Sequence, residues 1–390
     1  MSAEAVSRVQ TMPSTISKLT RASPARLEES EPAMTRFTGS ALILALCLSA
    51  DLQADDVSWL GEITVSPQSP ELPEAGVIRP LPGSGVKTPE QWSVQRESLR
   101  REWFRFLGPM PDRGDLNAKV LQSEVVEGIR RELIEYDAEA GQRVQGYLLR
   151  PEKPAASLPA IVALHPTNSA TIDEIAGVRG REQSMIGWKL ARRGFVVFCP
   201  RCFLWQDASS YDEAVAAHRE KHPRTLGMAR MLFDAQRGVD MLCSLEYVDV
   251  NRIGAIGHSL GAKETLYLAA FDDRVCCGVF SEGGMGLRST NWDAPWYLGN
   301  AIHQPEFPRN HHELLALIAP RPFLVIGGES GPGAADGERS WVLLNAARPV
   351  WDLFGQPVRL GLLNHHQGHA VPDDVFERMA EWLQVYCAER

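Results

Sequence analysis

The sequence lacks a run of lysine and arginine, an apolar stretch long enough to cross a bilayer, and any internal repeat. Its formal net charge of -9 at pH 7 argues against nucleic acid as a partner, because phosphate binding requires a basic surface. The apolar run near the N-terminus, Ala41–Ala50, is too short for a membrane-spanning helix. The 390 residues, 44% hydrophobic and 23% charged, fit one large globular domain or two small ones.

The N-terminal region has the features of a targeting segment that begins at Met34 and not at residue 1. Residues 1–33 are polar and rich in Ser, Thr and Pro. From Met34 onward, a basic residue, the apolar run and the small Ala54 follow one another in the order of a secretory signal peptide. We predict that residues 1–33 are an unstructured extension upstream of the true start and that 34–54 are a signal peptide. The mature protein would then be secreted or periplasmic, without a membrane anchor.

Cysteine is scarce in the rest of the chain. The cysteines after the predicted cleavage site are Cys199, Cys202, Cys243, Cys276, Cys277 and Cys387. Export permits disulfides among them, but the sequence does not give their pairing. Cys199 and Cys202 have the spacing of a redox C-x-x-C motif, yet they end a predicted strand and no helix starts on them. A structural pair or two buried thiols is the better interpretation.

The pattern of apolar residues divides the chain at about residue 145. Residues 55–144 form a lead-in with a helix over 89–108 and a hairpin that turns at Ala140 and Gly141. In residues 145–390, apolar runs alternate with helical segments, which predicts a mostly parallel central sheet flanked by helices on both faces. The predicted strands are Ala160–Leu164, Phe195–Phe198, Ile253–Ile256, Val275–Phe280, Phe323–Ile326 and Val358–Leu362, and the predicted helices include 183–193, 227–244, 262–270 and 340–354.

The stretch Gly257-His258-Ser259-Leu260-Gly261 lies where one predicted strand changes into a helix. Gly-x-Ser-x-Gly in this context is typical of a nucleophile elbow, a tight turn that holds the serine hydroxyl above the sheet. Glycine is needed at both flanking positions because a side chain there would collide with the neighbouring strand or helix. We therefore predict that Ser259 is a catalytic nucleophile; the alternative is a glycine-rich turn with an incidental serine.

A serine hydroxyl needs a base to take its proton, and that base needs a carboxylate to hold its tautomer. In this arrangement the chain order is serine, acid, histidine. Of the histidines after the last strand, His369 lies in a loop opened by Gly368, whereas His365 and His366 belong to the strand end, so His369 is favoured. A metal site of His365 and His369 would require a helix, which Gly368 and Pro372 oppose. No metal or cofactor is predicted.

Three carboxylates compete for the role of the acid. Glu282 follows the strand Val275–Phe280, and Glu329 and Asp336 follow the strand Phe323–Ile326. Each lies where a loop leaves the carboxyl end of a strand, the edge at which such sheets build active sites. Asp336 is favoured, then Glu282, then Glu329, and two acids could share the histidine.

A developing oxyanion needs two backbone N–H donors. We predict that Leu260, directly after the serine, gives one, and that Thr167, in the loop after the strand Ala160–Leu164, gives the other. Pro166 has no N–H to offer. His165 is expected to line the same rim.

With these residues, the region 145–390 resembles the α/β-hydrolase superfamily. More narrowly it resembles carbohydrate esterases, namely the acetyl xylan esterase and dienelactone hydrolase relatives and the glucuronoyl esterases. The matching motifs are "GYLLRP", "ALHPTN", "GHSLGAKE", "HHELLALIAPRPFLVIGG" and "QGHAVP". The resemblance implies an α/β-hydrolase fold and a serine esterase that acts through an acyl-enzyme, without a cofactor, on an ester carried by a carbohydrate.

The resemblance also implies roles for individual residues. Glucuronoyl esterases carry a sugar-contacting lysine one helical turn after the serine, and Lys263 has that position. Glu282 matches the acid of some of these enzymes, whereas Asp336 resembles the acid of others. Two departures favour simple deacetylation over uronate esters: Leu260 replaces their arginine, and Ser259 replaces the cysteine of dienelactone hydrolases.

Aromatic residues near the expected mouth of the site are candidates for contacts with sugar rings. Trp292 and Trp296 lie on one predicted loop, where packing is an equally common role for tryptophan. Residues 201–225 form a long insertion that is expected to act as a lid, with Arg201 and Trp205 as its substrate-facing candidates.

The sequence thus predicts a secreted serine esterase that acts on carbohydrate esters, with two alternatives. One is a peptidase of the prolyl oligopeptidase type, against which the absence of a preceding propeller domain counts. The other is a non-catalytic carbohydrate-binding protein of the same fold, which the complete set of serine, histidine and acid disfavours.

Overall fold

A central sheet organises the part of the chain that the computed structural model describes, which is residues 56–67, 78–304, 307–355 and 359–388. The predicted extension 1–33 and signal peptide 34–54 lie outside the described residues, so both stay predictions. In the described part, the nine strands of this sheet are β1 (Lys119–Val126), β2 (Ile129–Glu139), β3 (Gln142–Pro151), β4 (Leu158–Leu164), β5 (Val196–Pro200), β6 (Val248–His258), β7 (Val275–Ser281), β8 (Phe323–Gly327) and β9 (Leu360–Asn364).

The strand order is β1-β2-β3-β5-β4-β6-β7-β8-β9. Strands β1, β2 and β3 pair antiparallel, and β3 also pairs antiparallel with β5. From β5 to β9 every neighbouring pair is parallel. The predicted mostly parallel sheet is therefore confirmed, and the predicted hairpin is β2 and β3. The exposed edge strand β1 was not predicted.

The helices include every predicted segment, with two changes, and further helices that were not predicted. They are α1 (Leu60–Ile63), α2 (Pro89–Leu107), α3 (Ile172–Ile175), α4 (Ile186–Ala191), α5 (Tyr211–Lys221), α6 (Gly227–Cys243), α7 (Leu260–Phe271), α8 (His312–Ile318), α9 (Trp341–Ala347), α10 (Pro349–Asp352) and α11 (Asp373–Leu383). The predicted helix 340–354 is divided into α9 and α10 at Pro349, because proline has no N–H with which to continue the helix. The predicted helix 183–193 is shortened to α4.

Alternate side chains of the parallel strands enter two separate cores, one on each face of the sheet. Val162 and Phe198 belong to the core covered by α2 and α6 to α9, whereas Ile161 and Val197 belong to the core covered by α3, α4 and α11. Every residue of α7 is buried. No helix in the described part of the chain is long and apolar enough to span a membrane.

Candidate active site

Ser259 occupies the tight turn between β6 and α7, with φ 59° and ψ -117°. A non-glycine residue in such a conformation costs on the order of 1–3 kcal/mol, which the surrounding contacts must offset. A Cβ on Gly257 would lie 2.2 Å from the carbonyl group of Gly261, and one on Gly261 would lie 2.1 Å from the Leu164 oxygen. The Ser259 N–H donates to the Ser281 carbonyl at 2.8 Å. The turn that the motif predicts is therefore present, and the catalytic role of the serine stays a prediction.

His369 lies in the loop after β9, and its ring packs beside the residue that precedes the serine. The ring centroids of His369 and His258 are 4.6 Å apart. The Nδ1 atom of His369 lies 3.6 Å from Oε2 of Glu282, whose side chain is fully buried. The side chain of His369 is 29% exposed, so one side of the imidazole remains open to a substrate.

Glu282 follows β7 directly and is held by the loop after β8. Its backbone has φ 54°, the left-handed region that non-glycine residues rarely adopt. Oε1 accepts a hydrogen bond from the Gly328 N–H, and Oε2 accepts from the N–H groups of Ala335 at 2.7 Å and Asp336 at 3.4 Å. Backbone donors therefore fix this carboxylate with one oxygen directed toward His369.

Asp336, which the sequence favoured as the acid, has a different environment. Its Oδ2 accepts from the Gly284 N–H at 2.6 Å, and its Oδ1 accepts from the Met285 N–H at 2.7 Å and from the Ser340 hydroxyl at 2.7 Å. Burial, reinforced by the charge of Glu282, raises the pKa of Asp336 to about 6. In the described residues, the carboxylate within 4 Å of His369 is that of Glu282, and which of the two acids serves the histidine stays a prediction.

Glu329, the third candidate, has its carboxylate in contact with other partners. Its carboxylate accepts from the Glu338 N–H and from Asn364 Nδ2 at 3.4 Å, and it lies 3.7 Å from the Arg339 guanidinium. Through these contacts, Glu329 connects the loop after β8 to the end of β9.

His258 was missed by the sequence reasoning, although it stands inside the elbow motif. Its Nδ1 lies 3.0 Å from the Ser281 hydroxyl, at the end of β7. Burial, together with the neighbouring charge of His369, lowers the pKa of His258 to about 3. The ring is therefore neutral at ordinary pH and packs against His369 without competing for a proton. In the sequence, its position between Gly257 and Ser259 was the feature that could have identified it.

The two predicted oxyanion donors lie on adjacent elements. Leu260 is the first residue of α7, so its N–H has no acceptor within the helix. Thr167 is exposed in the loop after β4, and the strand end at Leu164 touches the start of α7 near Gly261. Their role as oxyanion donors stays a prediction.

The loop that carries Thr167 is held by a buried carboxylate that the sequence did not suggest. Glu174 is 4% exposed and accepts from Asn168 Nδ2 at 2.5 Å and from the Arg181 N–H at 3.0 Å. Asn168 Oδ1 in turn accepts from the Thr171 N–H at 2.6 Å. These bonds fix the path of the chain on either side of α3.

His165 was expected to line the rim but is fully buried. Its Nδ1 lies 2.9 Å from the Pro166 carbonyl, and its Nε2 accepts from the Cys202 N–H at 3.1 Å. Burial lowers the pKa of His165 to about 4. This neutral ring connects the loop after β4 to the segment after β5.

Lys263 and Trp292 also differ from expectation, because neither is accessible. Lys263 is 3% exposed and its Nζ donates to the Thr290 hydroxyl at 2.6 Å. The same Nζ lies 3.9 Å from the centroid of the Trp292 ring, and burial lowers the pKa of Lys263 to about 7. Trp292 is fully buried and donates to the Gly284 carbonyl at 2.7 Å. Both side chains are therefore enclosed by protein in this structure, whereas the sequence placed them at the substrate.

The accessible aromatic side chains come from the insertion and from the loop after β7. Trp205, Tyr211 and Trp296 are all half-buried. The ring of Tyr211 lies 5.1 Å from that of Trp205 and 5.4 Å from that of Trp296, in both cases edge to face. Trp205 also packs at 5.1 Å on the ring of His165. We call these three side chains the aromatic ledge.

Arg201, at the start of the insertion, is half-buried beside β3. Its backbone N–H donates to the Gln145 carbonyl at 3.0 Å, and its Nη2 donates to Gln145 Oε1 at 3.5 Å. Among the described residues, its Nε is buried without a hydrogen-bond partner. The insertion itself is ordered around α5, which Ser210 caps by accepting from the Glu213 N–H at 3.2 Å.

These observations define the class of the protein. A mostly parallel sheet flanked on both faces, with a serine on a strand-to-helix elbow and a histidine after the last strand, is the α/β-hydrolase fold. Residues 144–286 match the model of the Dienelactone hydrolase family, a part that includes Ser259 and Glu282. The matched part ends before β8, β9 and His369.

Individual relatives agree with this class. YtaP of Bacillus subtilis (strain 168) is 25% identical over 244 residues, which is 60% of this chain and 80% of that protein. The 4-O-methyl-glucuronoyl methylesterase of Hypocrea jecorina (strain QM6a) is 25% identical over 169 residues, which is 36% of this chain and 35% of that protein.

Solved structures extend the likeness to the whole fold. A glucuronoyl esterase from Solibacter usitatus matches with a TM-score of 0.65 at 19% identity, covering 82% of this chain and 99% of its own. An acetyl xylan esterase from Paenibacillus sp. R4 matches with a TM-score of 0.50 at 17% identity, covering 85% of this chain and 100% of its own. The comparisons together support a carboxylic ester hydrolase.

Proposed function

We propose that this protein is an exported serine esterase that removes acyl groups from carbohydrates. The observation that carries the proposal is the placement of His369 between the elbow residues and the buried Glu282 carboxylate, 3.6 Å from its Nδ1. A carboxylate at Nδ1 holds the imidazole in the tautomer whose Nε2 accepts a proton, which is the function that a serine nucleophile requires.

In the proposed mechanism, Ser259 attacks the ester carbonyl while Nε2 of His369 takes its proton. The N–H groups of Leu260 and Thr167 stabilise the oxyanion of the tetrahedral intermediate. Glu282 stabilises the imidazolium that forms, and the imidazolium then protonates the departing alcohol. Water activated by His369 releases the acyl group from Ser259 by the reverse sequence.

The acetyl ester is the preferred substrate within this proposal. In the glucuronoyl esterases that the sequence resembles, an arginine follows the serine and a lysine contacts the sugar. Lys263 is enclosed by Thr290 and Trp292, and Leu260 offers an apolar side chain at the position after the serine. An acetyl group needs no such cation, so its ester fits the residues that are present.

The aromatic ledge is the proposed contact for the sugar. Half-buried aromatic faces bind sugar rings through their apolar C–H surfaces, and Trp205 lies one ring away from His165 at the base of the oxyanion loop. The carbohydrate would then rest on the insertion while its ester points to Ser259.

The test compares acetylated xylan with a methyl ester of a glucuronate-bearing oligosaccharide, and measures released acetate and methanol. We expect wild-type protein to release acetate, and Ser259→Ala to lose about 10³-fold or more of that rate. Turnover of the glucuronate ester alone would replace the acetyl assignment. A folded wild-type protein that binds the carbohydrate and releases neither product would contradict the proposed function.

A further inference from the structure

Three cysteine side chains converge at the starts of the parallel strands, at the edge of the sheet opposite Ser259. Cys276 and Cys277 lie near the start of β7, and Cys387 lies in the π-helical turn Gln384–Ala388 that follows α11. The three Sγ atoms lie within 4.8 Å of one another, and all three residues are buried. In the described part of the chain, no other group of three or more Cys, His, Asp or Glu side chains has this geometry.

Two local irregularities of the backbone create this cluster. In the pairing of β6 with β7, Ile253 is opposite Val275 and Gly254 is opposite Cys277, so Cys276 is the extra residue of a β-bulge. A regular strand would direct Cys276 and Cys277 to opposite faces, and the bulge allows both to turn toward Cys387. The wide turn at the end of α11 supplies the third sulfur.

Two of the three thiols donate long hydrogen bonds to backbone carbonyls. Cys276 Sγ donates to the Tyr386 carbonyl at 3.9 Å, and Cys387 Sγ donates to the Ala160 carbonyl at 3.9 Å. Cys277 is in contact with both of the other cysteines. A thiol is a weak donor, so a side-chain rotation that brings two sulfurs to bonding distance gives up little.

We propose that Cys277 and Cys387 form a disulfide that ties the C-terminal helix to the central sheet. Each thiol gives up one proton and one electron, and the S–S bond forms. A small-molecule or protein disulfide accepts the two electrons and two protons and leaves as two thiols. Cys276 remains a thiol within reach of the bond.

A disulfide suits this environment better than a bound metal ion. Burial raises the pKa of the Cys277 thiol well above its ordinary value, so the neutral forms of sulfur are favoured here. A cation held by three thiolates would leave net negative charge inside the protein, which is costly, whereas a disulfide carries no charge. This inference is independent of the proposed esterase activity.

The test equilibrates the native full-length protein with mixtures of reduced and oxidised glutathione until the number of reactive thiols is constant. Remaining thiols, including the buried ones, are then alkylated in denaturant that contains excess alkylating agent, and non-reduced peptides are mapped by mass spectrometry. We expect two thiols to be lost together, a fragment spectrum that joins Cys277 to Cys387, and a higher Tm that dithiothreitol reverses. Cys277→Ser and Cys387→Ser should each abolish the link and the rise in Tm, while the matched variant Cys243→Ser keeps both.

Three results would overturn the proposal. One is alkylation of all the described cysteines at every glutathione ratio. Another is a link formed elsewhere, between Cys199 and Cys202 or through Cys276. The third is a metal ion retained in stoichiometric amount by wild-type protein and lost in Cys387→Ser, which would make the cluster a metal site.

Discussion

Two buried carboxylates connect the two loops of the candidate site, because each accepts hydrogen bonds from the loop that carries the other. Glu282 follows β7 but accepts N–H donors from Gly328 and Ala335, in the loop after β8. Asp336 lies in that second loop but accepts N–H donors from Gly284 and Met285, in the loop after β7. One member of this pair has His369 as a neighbour, and the other does not.

The first prediction separates the two acids by substitution. Glu282→Gln removes the charge beside Nδ1 of His369 and allows the wrong tautomer, so kcat for an acetyl ester should fall by about 10²–10⁴-fold while the fold is kept. Steady-state kinetics on protein shown to be folded by circular dichroism measure this effect.

Asp336→Asn is the matched control for that experiment. The amide nitrogen replaces one carboxylate oxygen and cannot accept a hydrogen bond, so either the Gly284 or the Met285 N–H loses its acceptor. Stability should fall by about 1–3 kcal/mol, with kcat of the folded fraction within about tenfold of wild type. Loss of catalysis in Asp336→Asn with retention in Glu282→Gln would restore the order that the sequence favoured.

The second prediction concerns the pH dependence of stability. The folded protein raises the pKa of Asp336 from 3.8 to about 6, mainly through burial. Because folding favours the protonated form, the stabilisation is complete below about pH 4 and is lost as the pH rises through about 6. The unfolding free energy of wild type relative to Asp336→Asn should therefore fall between pH 4 and 7, by on the order of 2–3 kcal/mol.

Urea denaturation at several pH values measures this difference, and the other titrating groups largely cancel between the two proteins. A difference that stays constant across this range, or that grows with pH, would show that Asp336 is ionised in the folded protein throughout.

At the scale of elements, the elbow depends on close backbone contact between α7 and the end of β4. A Cβ on Gly261 would lie 2.1 Å from the Leu164 oxygen, and backbone cannot move aside as a flexible side chain can. We predict that Gly261→Ala lowers the unfolding free energy by about 3 kcal/mol or more and reduces the labelling of Ser259 by a fluorophosphonate probe. Gly85→Ala, where a Cβ meets nothing within 4 Å, is the control. Equal Tm values for the two variants would contradict this packing.

The aromatic ledge is predicted to contribute to substrate binding. Trp205→Ala should raise KM for acetylated xylan oligosaccharides by about 5–50-fold, because one stacking contact is lost. The variant should leave kcat/KM for p-nitrophenyl acetate within about threefold of wild type, since this ester has no sugar to stack. Equal losses on both substrates would mean that Trp205 acts through His165, on which it packs.

The elements that the sequence predicted correctly share a strong local signal. Strands β4 to β8 are short apolar runs bounded by turn residues, and the elbow carries its own glycines. The features that were missed depend on contacts between distant segments. The burial of Trp292 and Lys263 arises because they pack against each other, and tryptophan on a loop gives no sign of this in sequence. The bulge at Cys276 is likewise set by its pairing with β6.

The choice between the two candidate acids likewise depends on contacts between distant segments. Glu282 and Asp336 both follow parallel strands, and sequence spacing does not tell which loop each carboxylate reaches. Positive φ at Glu282 turns its side chain under the next loop, and that turn depends on the β8 loop being present to donate N–H groups. Neighbouring loops, not local propensity, therefore decided which oxygen faces His369.

At the scale of the whole molecule, the carboxyl edge of the parallel sheet holds the candidate chemistry and the opposite edge holds the cysteine cluster. The proposed export would suit both features. An enzyme for polymeric carbohydrate acts outside the cell, and disulfides also persist there. A protein sequenced from the culture medium or periplasm should then begin near Asp55.

The proposed mechanism requires that Ser259 is an activated nucleophile. A fluorophosphonate probe reacts with such a serine, and mass spectrometry of the digested protein maps the adduct. We predict stoichiometric labelling of Ser259 in wild type, none in Ser259→Ala, and much slower labelling in Glu282→Gln. A folded wild-type protein that remains unlabelled, or one labelled at another serine, would contradict it.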